Sequence, residues 1–208
     1  MRTMATVFVS WLVLAFAPPA AALNVFTCEP EWAELVRVLG GPQVEATSAT
    51  TALQDPHHIE ARPSLIARAR RADLVVCTGA GLEAGWLPLL LRSAGNARIQ
   101  PGQPGYFEAA SAVALLEARA RVDRSEGDVH PEGNPHLHLD ARNIARVAER
   151  LAARFQQIDP ANAAHYSARH TDFARRWQMA LARWEREAEP LKGMPVVYHH
   201  RSWVYLAH

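Results

Sequence analysis

Ten histidines stand in a chain of 208 residues, and six of them fall in three tight groups: His57 with His58, His136 with His138, and His199 with His200. His130 stands just upstream of the second group. Neutral imidazole is the commonest side-chain ligand for transition metals. Three separated groups therefore raise a shared metal site, and the opposing reading is a set of unrelated polar loops. His165 and His170 lie on a helical stretch and read as surface or hydrogen-bonded residues. Cys28 and Cys77 are the two cysteines of the chain, too few for a Cys-rich zinc finger or an iron–sulfur centre.

The first half of the chain alternates strand and helix signals. Asn24 to Cys28 is a short apolar strand. Trp32, Leu35, Val36 and Leu39 recur at helical spacing from Pro30, and Gly40-Gly41 ends that helix. Val44 to Ala49 reads as a second strand, Pro63 to Ala72 as a helix, Asp73 to Cys77 as a third strand, and Glu83 to Ser93 as a further helix. Such alternation predicts an α/β fold with a parallel sheet covered by helices. Loops at the C-terminal edge of a parallel sheet converge on one crevice, and His57 lies in such a loop. With strand order 2-1-3, Cys28 and Cys77 fall at neighbouring strand ends, either as a disulfide or as two buried thiols.

Residues 118–135 read as a polar loop. From Asp140 to Pro190 the chain is helical and rich in Ala, Arg and Glu. Asp140 caps the first helix of this segment, and Asp159-Pro160 reads as an N-cap with proline at the first helical position. The second helix, Pro160 to about Glu189, would span roughly 45 Å. Gly193-Met194-Pro195 breaks it, and Val196 to Tyr198 is expected to begin a new strand. At the other end, Arg2, the apolar run Ala5 to Ala17, Pro18-Pro19 and Ala20 to Ala22 read as a secretory signal. That run reaches only about 20 Å as a helix, short of a ~30 Å hydrocarbon core. Export and cleavage near Ala22 are expected. Val25-Phe26-Thr27 lack the small residues that precede a lipidated cysteine, so the expected mature chain is soluble and starts near Leu23.

The formal charge of +1, from 22 basic and 21 acidic residues, gives no reason to propose a nucleic-acid or anionic-membrane partner. Gly79-Ala80-Gly81 follows a strand, but its spacing to Gly85 is wrong for a dinucleotide-binding turn, and it follows the third strand rather than the first. A zinc hydrolase, with Glu60 as its general base, is a rival from another class; no His-Glu-x-x-His motif occurs to support it.

Three segments resemble one family. Asp55-Pro56-His57-His58-Ile59-Glu60-Ala61-Arg62-Pro63-Ser64, Gly133-Asn134-Pro135-His136-Leu137-His138-Leu139-Asp140 and Val197-Tyr198-His199-His200-Arg201-Ser202-Trp203-Val204-Tyr205-Leu206 are similar to the ordered motifs of the solute-binding proteins of zinc and manganese ABC importers. Asp73 to Gly81 with Glu83 resembles that family's third strand and following helix start. The resemblance implies metal ligands at His57, His136 and His200, with a fourth, a carboxylate, beyond His208. Ile59, Ala61 and Ala141 depart from the family pattern without touching a ligand.

The resemblance implies a two-lobed solute-binding fold whose parallel sheets are joined by a long rigid helix, with the second lobe largely missing from this chain. The expected divisions are a signal peptide at 1–22, a first α/β lobe at 23–139, a helical segment at 140–192 and the start of a second lobe at 193–208. It implies a periplasmic receptor, not an enzyme, whose bound ion bridges the lobes and narrows the cleft for an ABC permease in the inner membrane. A monomer is the expected state. Zinc is the expected ion and manganese the alternative, because imidazole is a borderline ligand and manganese prefers oxygen. Protonated histidines cannot bind, so affinity should fall as pH drops through roughly 6–7. The Ser125 to Asn134 loop, with Asp128, His130 and Glu132, reads either as a solvated loop or as a relay for zinc, to the main site or from a periplasmic zinc chaperone. His58, His138 and His199 are candidates for orienting the liganding rings. Some family members are described as adhesins, a role that nothing in the residues decides.

Overall fold

The computed structural model describes residues 22–118, 130–198 and 201–208. The signal segment, most of the 118–135 loop and His199-His200 lie outside the described residues.

Four parallel strands form the centre: β1 (Leu23–Thr27), β2 (Val44–Ser48), β3 (Leu74–Cys77) and β4 (Tyr106–Glu108), in the order β2-β1-β3-β4. Successive side chains of a strand point to opposite faces, so β1 and β3 each supply two cores. Val25, Leu74 and Val76 face a cluster with Trp32, Leu39, Leu151, Phe155 and Tyr166. Phe26, Val75, Cys28 and Cys77 face a second cluster with Leu65, Trp86, Leu90 and Ile99. A parallel sheet covered on both faces needs such unbroken apolar strands, and all four residues of β3 are buried.

Helices α1 (Pro30–Gly40), α4 (Ala141–Ile158) and α5 (Ala163–Ala188) supply the first cover, and α2 (Pro63–Arg71) and α3 (Leu87–Ala94) the second. Asp140 caps α4, its side chain accepting from the Arg142 N–H at 2.8 Å. Asp159 does not cap α5. A turn of 3-10 helix, Pro160–Asn162, comes first, and Asp159 Oδ2 accepts from Tyr166 Oη at 2.6 Å and Asn162 Nδ2 at 2.8 Å. At 26 residues, α5 spans about 39 Å. Its inner face carries Phe173 stacked on Trp177, with ring centroids 5.2 Å apart. His165 also bonds the Gly40 carbonyl at 2.9 Å.

Three further features depart from the sequence expectations. Helix α3 begins at Leu87, not Glu83. Pro88 has no N–H to give to a turn starting at Glu83, and it suits a first helical turn. β4 was not expected: a three-residue strand is too short to show a period. Residues 196–198 are exposed and form no strand among the described residues, for want of a ladder partner.

Past them, Arg201–Trp203 is a 3-10 turn and α6 (Val204–Ala207) follows. Tyr205 is buried in the first core. Its hydroxyl accepts from the Leu116 N–H at 3.0 Å and donates to the Asn134 carbonyl at 2.8 Å.

Cys28 and Cys77 form a disulfide across the C-terminal ends of β1 and β3. Among the described residues, no helix is long and apolar enough to cross a membrane.

Candidate metal centre

The loops that leave the C-terminal ends of the strands line a cleft of about 510 Å³ that includes Glu29, Glu31, Asp55, His57, His136 and His138. His57 lies after β2 and Gly79–Gly81 after β3. His136 lies between β4 and α4.

His57 and His136 are held by the same local device. In Asp55-Pro56-His57, Asp55 Oδ1 accepts from the His57 backbone N–H at 3.0 Å and from ring Nδ1 at 2.7 Å. In Asn134-Pro135-His136, Asn134 Oδ1 accepts from the His136 N–H at 3.0 Å and from ring Nδ1 at 3.0 Å. The first bond of each pair is an Asx-turn. The proline between fixes φ and removes a competing donor. A carboxylate or amide oxygen only accepts, so the proton of each ring sits on Nδ1 and Nε2 carries the lone pair, the atom that accepts from a donor or binds a cation. The Asn134 amide orientation follows from its partners, because Nδ2 donates to the Arg201 carbonyl at 2.8 Å and to Glu117 Oε2 at 3.1 Å. Burial pushes the Asp55 carboxyl up. Hydrogen bonds from the His57 backbone and ring, with the charges of His57 and His58, outweigh it and hold the group below the usual carboxylate range.

The rings of His57 and His136 lie 6.0 Å apart between centroids. His130 meets His57 more closely, at 5.3 Å between centroids and 3.2 Å between the two Nε2 atoms. His200, the third expected ligand, lies outside the described residues, as does His199. His58 stands 6.1 Å from His57, but Asp55 orients the His57 ring. His138 stands edge-on to Trp32 with Nδ1 3.6 Å from Glu31 Oε1, and Asn134 orients His136. Burial lowers the His138 imidazole below its usual value, against the opposing charge of Glu31.

Beneath the cleft lies a buried carboxyl pair. Glu83 accepts from the Thr78 N–H at 2.7 Å and the Gly79 N–H at 3.1 Å, so the turn with positive φ at Gly79, Ala80 and Gly81 wraps onto the oxygens of this carboxyl group. Glu29 Oε2 accepts from the Thr78 hydroxyl at 3.0 Å, which itself accepts from Trp32 Nε1 at 2.8 Å. Burial, then the charges of Glu83 and Glu31, push Glu29 well above the carboxylate range; burial pushes Glu83 up to about 7. Among the described residues, Glu29 Oε1 is buried without a hydrogen-bond partner. Among the described residues, the group of three donor atoms gathered within 4.8 Å belongs to Cys28, Cys77 and Glu83. Its sulfurs are bonded to each other, so it offers no thiolate to a cation.

Residues 25–208 match the sequence model of the family described as periplasmic zinc-uptake complex component A, ZnuA. The chain belongs to this family. Among relatives of the zinc-uptake component A family, the metal ABC transporter substrate-binding lipoprotein ScbA of Streptococcus cristatus is 25% identical over 147 residues, 71% of this chain and 45% of its own length. The manganese ABC transporter substrate-binding lipoprotein PsaA of Streptococcus pneumoniae is 26% identical over 147 residues, 69% of this chain and 44% of its own. A crystal structure of ZnuA superimposes with a TM-score of 0.74 at 22% identity, covering 89% of this chain and 66% of that one. The fold is thus that of the solute-binding proteins, and the chain spans less than half the length of these two relatives. They are named as substrate-binding proteins of ABC transporters, not as enzymes.

The sequence reading named His57 and His136 but missed Asp55 and Asn134 as the residues that aim them. The signal was present: an Asx residue two positions before each histidine, with proline between, occurs in both motifs.

Proposed function

We propose that this chain is the first lobe, connecting helix and opening of the second lobe of a periplasmic zinc receptor that presents the ion to an ABC permease. The divisions at 22, 139 and 192 are part of this reading. His57, His136 and His200 are its ligands. The observation that carries it is the pair of Asx-Pro-His turns, which fix two imidazoles in the tautomer that offers Nε2 to one cleft. Second partners of this kind are what orient metal-bound histidines. A nitrogen-rich donor set supports zinc over manganese. The naming of a relative as a manganese transporter supports the second reading, a manganese receptor of the same build. A hydrolase is disfavoured because Glu60 is exposed and lines a separate hollow with His58 and Arg62, away from His136.

Competition titration with a chromophoric chelator tests this reading. The chain should take up zinc in preference to manganese, and His57→Ala and His136→Ala should each remove most of that affinity. Equal affinity for manganese would move the assignment to the second reading. Unchanged zinc affinity in both variants would end it.

A further inference from the structure

We infer that His130, on the loop between β4 and α4, is itself a direct ligand of the cargo ion, joined to His57 through a shared Nε2–metal–Nε2 edge. The inference rests on the metal-receptor reading and adds a ligand to it.

Three observations support it. First, the two Nε2 atoms face each other at 3.2 Å. Two imidazoles on one tetrahedral zinc, each about 2.0–2.1 Å from it, hold their nitrogens about 3.3 Å apart, so the rings already stand at the separation of one edge of such a site. Second, the Asp55 bond places the His57 proton on Nδ1. His57 Nε2 therefore meets His130 Nε2 with a lone pair, and either a proton on His130 or a cation must lie between them. Third, the His130 ring is seated from a second side. A Cβ on Gly81 would come within 3.4 Å of His130 Nδ1, at a backbone φ of +81°. The Gly133 N–H donates to the His130 carbonyl at 3.2 Å, which ties this histidine to the segment that carries Asn134 and His136.

The competing arrangement is a proton: His130 Nε2–H donates to His57 and blocks the nitrogen that the ion needs. The two arrangements have opposite consequences. A ligand increases affinity, whereas a proton-donating plug competes with the ion, and its removal tightens binding.

The test is zinc titration of the whole chain and of its His130→Ala, His57→Ala and His136→Ala variants, with zinc X-ray absorption on the parent and on His130→Ala. The expected result is a loss of affinity of at least about tenfold in His130→Ala, as for the removal of groups that support a metal site, with one imidazole fewer around the ion. The metal-free melting temperature of that variant should match the parent, because the backbone bond from Gly133 is untouched. Zinc affinity that is unchanged or raised in His130→Ala, while His57→Ala and His136→Ala lose it, overturns the inference and leaves the receptor reading standing. Weaker binding with an unchanged imidazole count also overturns it, because His130 then acts only through the position of its loop. If all three variants bind zinc as the parent does, the receptor reading falls and this inference falls with it.

Discussion

Glu83→Gln isolates the energetic cost of the carboxyl pair under the cleft. Glu83 is 2% exposed, and burial raises it from the ordinary 4.5 to about 7. Below about pH 4.5 both folded and unfolded chains hold the proton, and the group contributes no pH dependence. As pH rises towards about 7 the unfolded chain releases the proton and the folded chain keeps it. The stability tied to this group is therefore full at acid pH and lost as pH rises through about 7. The loss amounts to about 3 kcal/mol over that window. Glutamine is neutral throughout, and its oxygen can still accept from the Thr78 N–H. Urea unfolding of parent and variant in chelator, with the disulfide intact, at about pH 5, about pH 6 and about pH 7 measures the difference. Removing the Glu83 charge also relieves Glu29, so the measured difference belongs to the carboxyl pair rather than to Glu83 alone. The parent should lose about 3 kcal/mol relative to Glu83→Gln between the ends of the window. Two curves that run parallel from acid to neutral pH would show that Glu83 ionises in the folded chain as it does in water, and the account of the buried pair would be wrong.

Three further outcomes follow from the same bonds. Asp55→Ala should weaken zinc binding about 10- to 100-fold, because it removes the acceptor for the His57 Nδ1 proton; calorimetric titration checks it, and an unchanged affinity would mean that the ring needs no such partner. Tyr205→Phe should cost about 1–3 kcal/mol in urea unfolding, because it strips the partner from the half-buried Leu116 N–H and the buried Asn134 carbonyl. The Cys28→Ala, Cys77→Ala double variant releases a closure of 49 residues and should lose about 4 kcal/mol by chain entropy; equal unfolding midpoints would refute that contribution.

The elements that read clearly were those whose apolar spacing and end signals agreed. Trp32, Leu35, Val36 and Leu39 marked α1, and the unbroken apolar run of β3 marked a central strand. The C-terminal edge that gathers the loops followed from that alternation, and so did the neighbouring positions of Cys28 and Cys77. The start of α3 was misplaced because Glu83 looks like a helix former, while its carboxylate is taken by Thr78 and Gly79. The single pattern that recurs in both histidine motifs, Asx-Pro-His, was visible but went unread as an orienting device. Its meaning depends on a side-chain oxygen turning back onto a ring, which periodicity does not encode. The approach of His130 to His57 spans 73 positions, and no local pattern encodes it.

Asn134 is a mechanical junction. It holds the His136 ring on one side, and on the other it is fastened to the Arg201 carbonyl and the Tyr205 hydroxyl. A pull on the last stretch of the chain reaches that imidazole through one amide and one peptide group. Displacement at residues 201–205 is therefore transmitted to the aim of Nε2, and under the proposed receptor reading the hold on the ion would follow the posture of this stretch.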